Sequence, residues 1–383
     1  MLQTLRARMR DPLFLLCVAA GLIAFVVQSG DLDSVDTARR LQTTHSFWTS
    51  APPVIEGDYP EFGLRGRDGR IYAWYGMGQS LLMLPADVVG TYVEKLRVFQ
   101  EYNGNDPSVR AMIVAYSTNI LVNILTALVC FRLLTLLKFT RAQSVAGVLA
   151  LLVGTTHLHY TQNMMENNYI LLLTLAGFAF QYEWLLTGQR RALGIGSAAF
   201  GFNLLTRLTT GMDLIAGGIF LLLALRLKDG SSDLWKRFKV YVVTAFPIYA
   251  VFLLIDRIYQ YYRFGSFFNT YVAVFAQQSR VMNPSLPAKY PFEVPFHVGF
   301  LGALFAPEKS IFLLDPLLIL AVVVVAVGWK TFSPEIKAYL ISASLLLLVY
   351  ICFYARYTVW SGDSAWGDRY VSSAAQLVAL FSV

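Results

Sequence analysis

Charge is what this chain has least of. Of its 383 residues only 14% are Asp, Glu, Lys or Arg, against 56% hydrophobic and 14% aromatic. Soluble domains carry roughly a quarter charged residues, so a soluble globular protein is excluded and an integral membrane protein expected. Cysteine is nearly missing too: Cys17, Cys130 and Cys352 each sit in an apolar run, which excludes a disulfide framework and zinc-ligand spacing. There is no Walker motif, no short-period repeat and no low-complexity tract. The GxG in YGMGQ (75–79) has no recognisable strand before it in the sequence, so a nucleotide fold finds no support. The net charge of +7 does not point to nucleic acid either. In a membrane protein the excess belongs to cytoplasmic loops, because Lys and Arg set orientation.

What is present is a series of apolar runs: about 12–28, 112–134, 144–160, 169–186, 192–205, 212–225, 240–255, 311–327, 338–353, and a last one from 371 to the end at Val383. The first follows Arg6, Arg8 and Arg10 and lacks a small-residue cleavage site, so it reads as an uncleaved helix with a cytoplasmic N-terminus. The last is short of the roughly 20 residues a span needs, which raises the expectation of a fragment or a short helix. The stretch 78–95 is apolar but interrupted by Pro85 and Gly90 and reads as interfacial or re-entrant. If it does not cross, then Arg132, Lys138, Arg141, Arg190, Arg191, Arg226, Lys228, Lys236, Arg237, Lys239, Lys330 and Lys337 all face the cytoplasm. If it does cross, they all face outward. The first assignment gives about ten spans in a single domain, 1–383. Its outer segments are 30–110, 157–168, 256–310 and 360–370.

The longest polar segment, 30–110, holds Asp31, Asp33, Asp36, Glu56, Asp58, Glu61 and Asp68. A loop that long has a task beyond joining two helices. Asp31, Asp33 and Asp36 stand at the mouth of the first helix, where a half-desolvated carboxylate suits a general base. Solvated caps are the plainer reading, above all for Asp36 at the start of DTARRLQ. HLHYTQNMMENN (157–168) offers His157, His159 and Glu166 for substrate hydroxyls, or an ordinary polar interface; the ligands are too few for a strong metal site. Arg207 sits in a tight turn, as a snorkelling residue or a lipid-phosphate ligand. Lys309, and Arg263 with it, offer positive charge in the second outer segment. WSGDSAWGDRY (360–370) brings Trp360, Asp363, Trp366, Arg369 and Tyr370 together: Trp stacks on sugar rings, Asp accepts from hydroxyls and Arg grips phosphate. A Trp-rich interfacial belt explains the same residues without a substrate.

Four stretches in this order resemble one family: SGDLDSVDTARRL (29–41), GRDGRIYAWYGMGQSLLMLPADVVG (66–90), LLTRLTTG (204–211), and W-x-G-x-x-x-x-G-x-R-Y as Trp360, Gly362, Gly367, Arg369 and Tyr370. They resemble the GT-C membrane glycosyltransferases, nearest the bacterial branch related to the family 39 protein mannosyltransferases and the lipid A aminoarabinose transferase. The resemblance implies an all-α polytopic bundle of about ten transmembrane helices, with a long extracytoplasmic first loop bearing interfacial helices. It implies inverting transfer of a sugar from a polyprenyl-phosphate co-substrate to a lipid, glycan or protein acceptor, at the outer face of a bacterial inner membrane. Spacing to Ala38 and Leu41 nominates Asp31 as the family's acid, then Asp33, although Leu32 stands where the family has a Glu. Arg369, Arg207 and Lys309 are nominated for the donor phosphate. Tyr75, His157, His159, Glu166, Trp360, Asp363, Trp366 and Tyr370 are nominated for the substrates, and a divalent metal is left open. The competing readings are a lipid-linked sugar flippase or transporter, and an oligosaccharide polymerase or ligase. The first calls for mid-span charges and internal repeats, the second for a long loop later in the chain.

Overall fold

The computed structural model describes residues 11–32, 34–55, 63–102, 104, 106–229, 234–363 and 365–382. Arg6, Arg8, Arg10, Asp33, Glu56, Asp58 and Glu61, named above, lie outside them. The described residues open with α1 (Pro12–Val27) and α2 (Val35–Ser46), followed by a hairpin of β1 (Gly63–Arg65) and β2 (Ile71–Ala73). Then come α3 (Gly78–Glu94), a 3-10 turn (Arg97–Tyr102), α4 (Val109–Leu136), α5 (Arg141–Gly154), α6 (His157–Gln162), α7 (Glu166–Thr187) and α8 (Arg190–Thr206). The remainder is α9 (Gly211–Asp229), α10 (Leu234–Phe264), α11 (Tyr271–Met282), α12 (Phe296–Phe305), α13 (Ile311–Leu314), α14 (Leu317–Gly328), α15 (Pro334–Tyr354) and α16 (Ser372–Ala379).

Among the described residues five helices are long and apolar enough to cross a membrane: Val109–Leu136, Glu166–Thr187, Leu208–Leu227, Leu234–Phe264 and Pro334–Tyr354. Five shorter apolar ones accompany them: Pro12–Val27, Arg141–Gly154, Phe296–Phe305, Leu317–Gly328 and Ser372–Ser382. The chain is thus a multi-pass helical bundle, and α7 is its hub, packed against α4, α8, α9 and α16. By contrast α10 keeps only 11% of its apolar window inside and lies at the edge against α8. The ends are written in cap residues. Ser34 accepts the Thr37 N–H at the head of α2, Ser108 accepts the Ala111 N–H at the head of α4, and Thr140 and Gln143 form a capping box for α5.

Several expected boundaries move. α10 runs on to Phe264, so the second outer segment begins later than 256, because Asp256, Gln260 and Arg263 form a buried i, i+4, i+7 face that continues the helix. The expected span 311–327 divides at Asp315–Pro316, and 144–160 divides at Thr155–Thr156. Pro85 does not stop α3, which runs unbroken along the stretch expected to be interfacial. The hairpin is new: RGRDGR closes a two-stranded ladder with Leu64 opposite Tyr72.

Candidate functional site

The bundle holds a cavity of about 580 Å³ whose walls come from distant parts of the chain. Asp36 reaches it from the first turn of α2, Tyr75 from the end of the hairpin, Glu166 from the head of α7 and Arg207 from the end of α8. Tyr271 and Phe275 enter from α11, Phe353 and Tyr354 from α15, and Arg369 and Tyr370 from the loop before α16.

One end is charged. Tyr75 donates its hydroxyl to Asp36 Oδ1, and Arg369 Nη1 donates to Asp36 Oδ2 at 2.6 Å. Glu166 takes two guanidiniums, Arg40 at 2.6 Å and Arg207. Arg40 stacks over the Tyr75 ring at 4.0 Å, and Arg207 and Arg369 each lie 5.2 Å from the centroid of Tyr370, which stacks on Tyr354 at 4.4 Å. The electron-rich face of Tyr370 lets two like charges share a small space. Three guanidiniums face two carboxylates, leaving one positive charge in excess. Arg369 Nε is buried and has no hydrogen-bond partner among the described residues, so the cluster keeps a donor to spare. The other end is apolar, with Met212, Phe275 and Phe292. Ile215 and Phe353 line it and remain exposed on the spans that carry them, so the cavity is open along that side.

Local sequence makes this convergence possible. Asp36 and Arg40 are four apart on α2 and therefore share a face. A Cβ on Gly76 would stand 2.2 Å from the Leu205 carbonyl oxygen, and one on Gly78 2.2 Å from Thr206 Oγ1. The two glycines of YGMGQ thus exist for close approach: they seat the residue after Tyr75 against the end of α8 and set Tyr75 on the cavity that Arg207 also lines. A strand does precede this motif, β2, but it belongs to a hairpin and not to a βαβ unit. In the last loop Gly362 has φ +76°, and a Cβ there would meet Arg369 Cγ at 2.8 Å. Lys309 ties the same loop down by donating to the carbonyls of Asp363 (2.8 Å) and Ala365 (2.6 Å). Beside Arg369, burial pushes the Asp368 carboxyl up to about 7, against the pull of its hydrogen bond from the Tyr370 N–H and of the nearby cations Lys309, Arg207 and Arg369.

The residues nominated from sequence therefore divide. Arg207, Arg369, Glu166, Tyr75 and Tyr370 line the cavity. Asp31 does not: it sits in the turn after α1, its Oδ1 accepting the Leu32 N–H at 2.6 Å. The aspartate on the cavity wall is Asp36, five residues on, in the first turn of α2. Asp33 lies outside the described residues. His157 is fully buried against Asn123 (Nε2 to Oδ1 2.6 Å), away from the cavity. His159 meets Asn163 at 3.1 Å and the Trp366 ring at 5.0 Å. Trp360 fills the space over Gly302, where a Cβ would meet it at 2.1 Å. Asp363 and Trp366 face outward, and Lys309 holds backbone outside the lining. Glu166 is engaged by arginines on both oxygens rather than free for hydroxyls. Arg40, Tyr271 and Tyr354 were not nominated; only the spacing of Arg40 from Asp36 pointed to one of them.

A divalent cation does not fit this donor set. Among the described residues no three of His, Cys, Asp and Glu gather; arginines hold both oxygens of Glu166, and Arg369 and the Tyr75 hydroxyl hold one oxygen each of Asp36.

Compared with known protein families and with curated proteins, the sequence matches none. Among solved structures it is similar to the oligosaccharyltransferase of Archaeoglobus fulgidus in its apo form, with a TM-score of 0.56 at 10% sequence identity. The match takes in 97% of this chain and 50% of the archaeal one, so the chain spans half the length of that neighbour. The fold is GT-C-like.

Proposed function

We propose that the chain is an inverting glycosyltransferase that takes a sugar from a polyprenyl-phosphate donor. It passes the sugar to a hydroxyl of a lipid, glycan or protein acceptor, on the outer side of a bacterial cytoplasmic membrane. The observation that carries this is the cavity's division. One end is two carboxylates and three arginines with one positive charge in excess, and the other is aromatic and open beside two membrane spans. A lipid-linked sugar phosphate has the same division. The solved neighbour, itself an oligosaccharyltransferase, lends support on the reaction class.

Asp36 is the base in this reading. Each of its oxygens accepts one donor and keeps a further lone pair, so an acceptor hydroxyl can dock and give up its proton. The acceptor oxygen then bonds to the anomeric carbon from the face opposite the leaving group. The bond from that carbon to the phosphate oxygen breaks, and its electron pair stays on the phosphate. Charge grows on the leaving group as it departs, and Arg369, through the spare Nε–H, and Arg207 meet it. Fixed guanidiniums act there without reorganising. No general acid is required, because polyprenyl phosphate leaves as an anion. The prenyl tail lies along Met212, Ile215, Phe275 and Phe353.

The test is single-turnover transfer by the purified chain in proteoliposomes, with a panel of polyprenyl-phosphate sugars. Transfer from at least one donor, abolished in Asp36→Asn with donor binding retained, is the expected result. Movement of the lipid-linked sugar across the bilayer with no transfer from any donor would replace this reading with that of a transporter.

A further inference from the structure

We propose a second ligand site at the opposite end of the bundle: a pocket for a membrane phospholipid whose headgroup joins a phosphodiester to hydrogen-bond donors. It is independent of the transfer reading. The pocket, about 70 Å³, lies between the ends of α7, α9, α10 and α15 and is lined by Tyr182, Leu185, Arg237 and Glu335 among others. By volume it has room for about two waters, or one tetrahedral phosphate, and not for a sugar.

Three observations point to that ligand. Tyr182 is 1% exposed, yet its hydroxyl faces the pocket with no hydrogen-bond partner among the described residues. A buried hydroxyl left so costs free energy that a ligand oxygen would recover. Next, Arg237 is fixed in place: its Nη1 donates to the Leu185 carbonyl at 2.6 Å, and the rest of the fork stands at the pocket. Lys138, exposed and outside the lining, approaches Glu335 to 3.6 Å, so among the described residues Arg237 and Lys138 set two cations against one carboxylate, a balance that suits a phosphodiester. Glu335 rejects a bare second anion but accepts from an ammonium or hydroxyl beyond the phosphate. This is why the headgroup carries donors.

The depth is also right. Glu166 at the cavity and Leu185 at the pocket are 19 residues apart on α7, about 28 Å at 1.5 Å per residue, close to one hydrocarbon thickness of roughly 30 Å. The pocket therefore lies at the headgroup level of the leaflet opposite the cavity. Around it Trp235 is 64% exposed, stacks on Phe238 and carries Lys239 at 5.2 Å, an interfacial pattern. From Arg237 the outer face of α10 continues through exposed Val243 and Phe246, a surface for acyl chains.

The experiment uses the delipidated full chain in detergent. Dioleoyl phosphatidylethanolamine, dioleoyl phosphatidylcholine and inorganic phosphate are added separately, and lipid retention by native mass spectrometry and the thermal midpoint are read. One equivalent of the ethanolamine lipid should be retained and raise the midpoint, with the choline lipid, which lacks donors, about tenfold weaker. Tyr182→Phe, which keeps shape and packing, and Arg237→Gln should each weaken retention about fivefold or more, and Lys239→Gln on the exposed rim should not. Equal retention of the two lipids, or retention unchanged in Tyr182→Phe, overturns the site. An equal rise in midpoint with inorganic phosphate alone overturns the lipid as its occupant. None of these outcomes bears on sugar transfer, which is measured at the other end.

Discussion

Two buried carboxylates near the start of the chain have almost the same company and different surroundings. Asp36 receives the Tyr75 hydroxyl and the Arg369 guanidinium. Asp87, on α3, receives the Trp48 indole N–H at 2.7 Å and Arg110 at 3.1 Å, with His45 Nδ1 at 2.9 Å. Each is an acid satisfied by an arginine and an aromatic donor. Yet Asp36 stands on a cavity wall and Asp87 does not. The partners of Asp87 come from α2, the residues just after it, and the start of α4, so its bonds clamp the first loop to the bundle. The partners of Asp36 come from the hairpin and from the last loop, over 300 residues away, and they meet around empty space. Hydrogen-bonded burial alone is a structural signature; chemistry needs that company next to room for a substrate.

The largest expected effect separates the two sites. Asp36→Asn keeps size and most hydrogen bonding but cannot take a proton, so single-turnover transfer should fall about 10²–10⁴-fold, the usual cost of losing a general base. The thermal midpoint should change little. Equal rates in Asp36→Asn and the unmutated chain would erase the difference between Asp36 and Asp87.

Asp87→Asn should do the reverse. It replaces a buried anion with a neutral amide, leaves Arg110 without its counter-charge and takes a hydrogen-bond partner from His45. Because both partners retain some solvent contact, the loss sits at the low end for a broken buried ion pair, about 3 kcal/mol of stability. Transfer by the protein that remains folded should stay within about threefold of normal, since the clamp touches no substrate. A variant as stable as the parent but inactive would move Asp87 into the chemistry.

The same contrast explains what was legible in the sequence. Hydropathy carried the helices, because a span declares itself within its own 20 or so residues. It could not see that α10 continues to Phe264, since the buried face of Asp256, Gln260 and Arg263 looks polar in a hydropathy sum. The site was half legible. Arg207, Arg369 and Tyr370 lie in compact motifs, and they do stand on one cavity. Asp31 attracted the first nomination by spacing alone, while Asp36 looked like a helix cap, and it is in fact a first-turn acid as well as a cavity residue. What distinguishes the two is Tyr75 and Arg369, partners 39 and 333 positions away from Asp36. Gly76 and Gly78 resembled a weak nucleotide motif for the same reason: the α8 backbone they accommodate is invisible locally.

A smaller effect tests how the arginines are held. Tyr370 lies under Arg207 and Arg369 at 5.2 Å each, so Tyr370→Leu removes two cation–π contacts worth about 0.5–1 kcal/mol apiece. Donor affinity should weaken about tenfold, with a smaller change in the single-turnover rate at saturating donor. Tyr370→Phe keeps the ring and should bind the donor nearly normally. A loss as large in Tyr370→Phe as in Tyr370→Leu would shift the role from the ring face to the hydroxyl.

The smallest expected effect concerns Asp368, next to Arg369 and buried like Asp87, but held by a single backbone N–H. Burial lifts its carboxyl to about 7 in the folded chain, whereas an unfolded Asp titrates near 4. Between about pH 4 and pH 7 the unfolded chain has released this proton and the folded chain still holds it. The folded state then binds more protons, and linkage makes stability fall as pH rises through that window. Above about 7 both states are ionised and the contribution is flat. Asp368→Asn cannot ionise, so it should lack this component of the slope. The thermal midpoint of the variant minus that of the parent should climb from pH 5 to pH 7.5 and then level off. A difference that stays constant across the range would mean that Asp368 is charged throughout. Its carboxylate would then join Asp36 and Glu166 in balancing the three arginines, and the cavity would have no positive charge in excess.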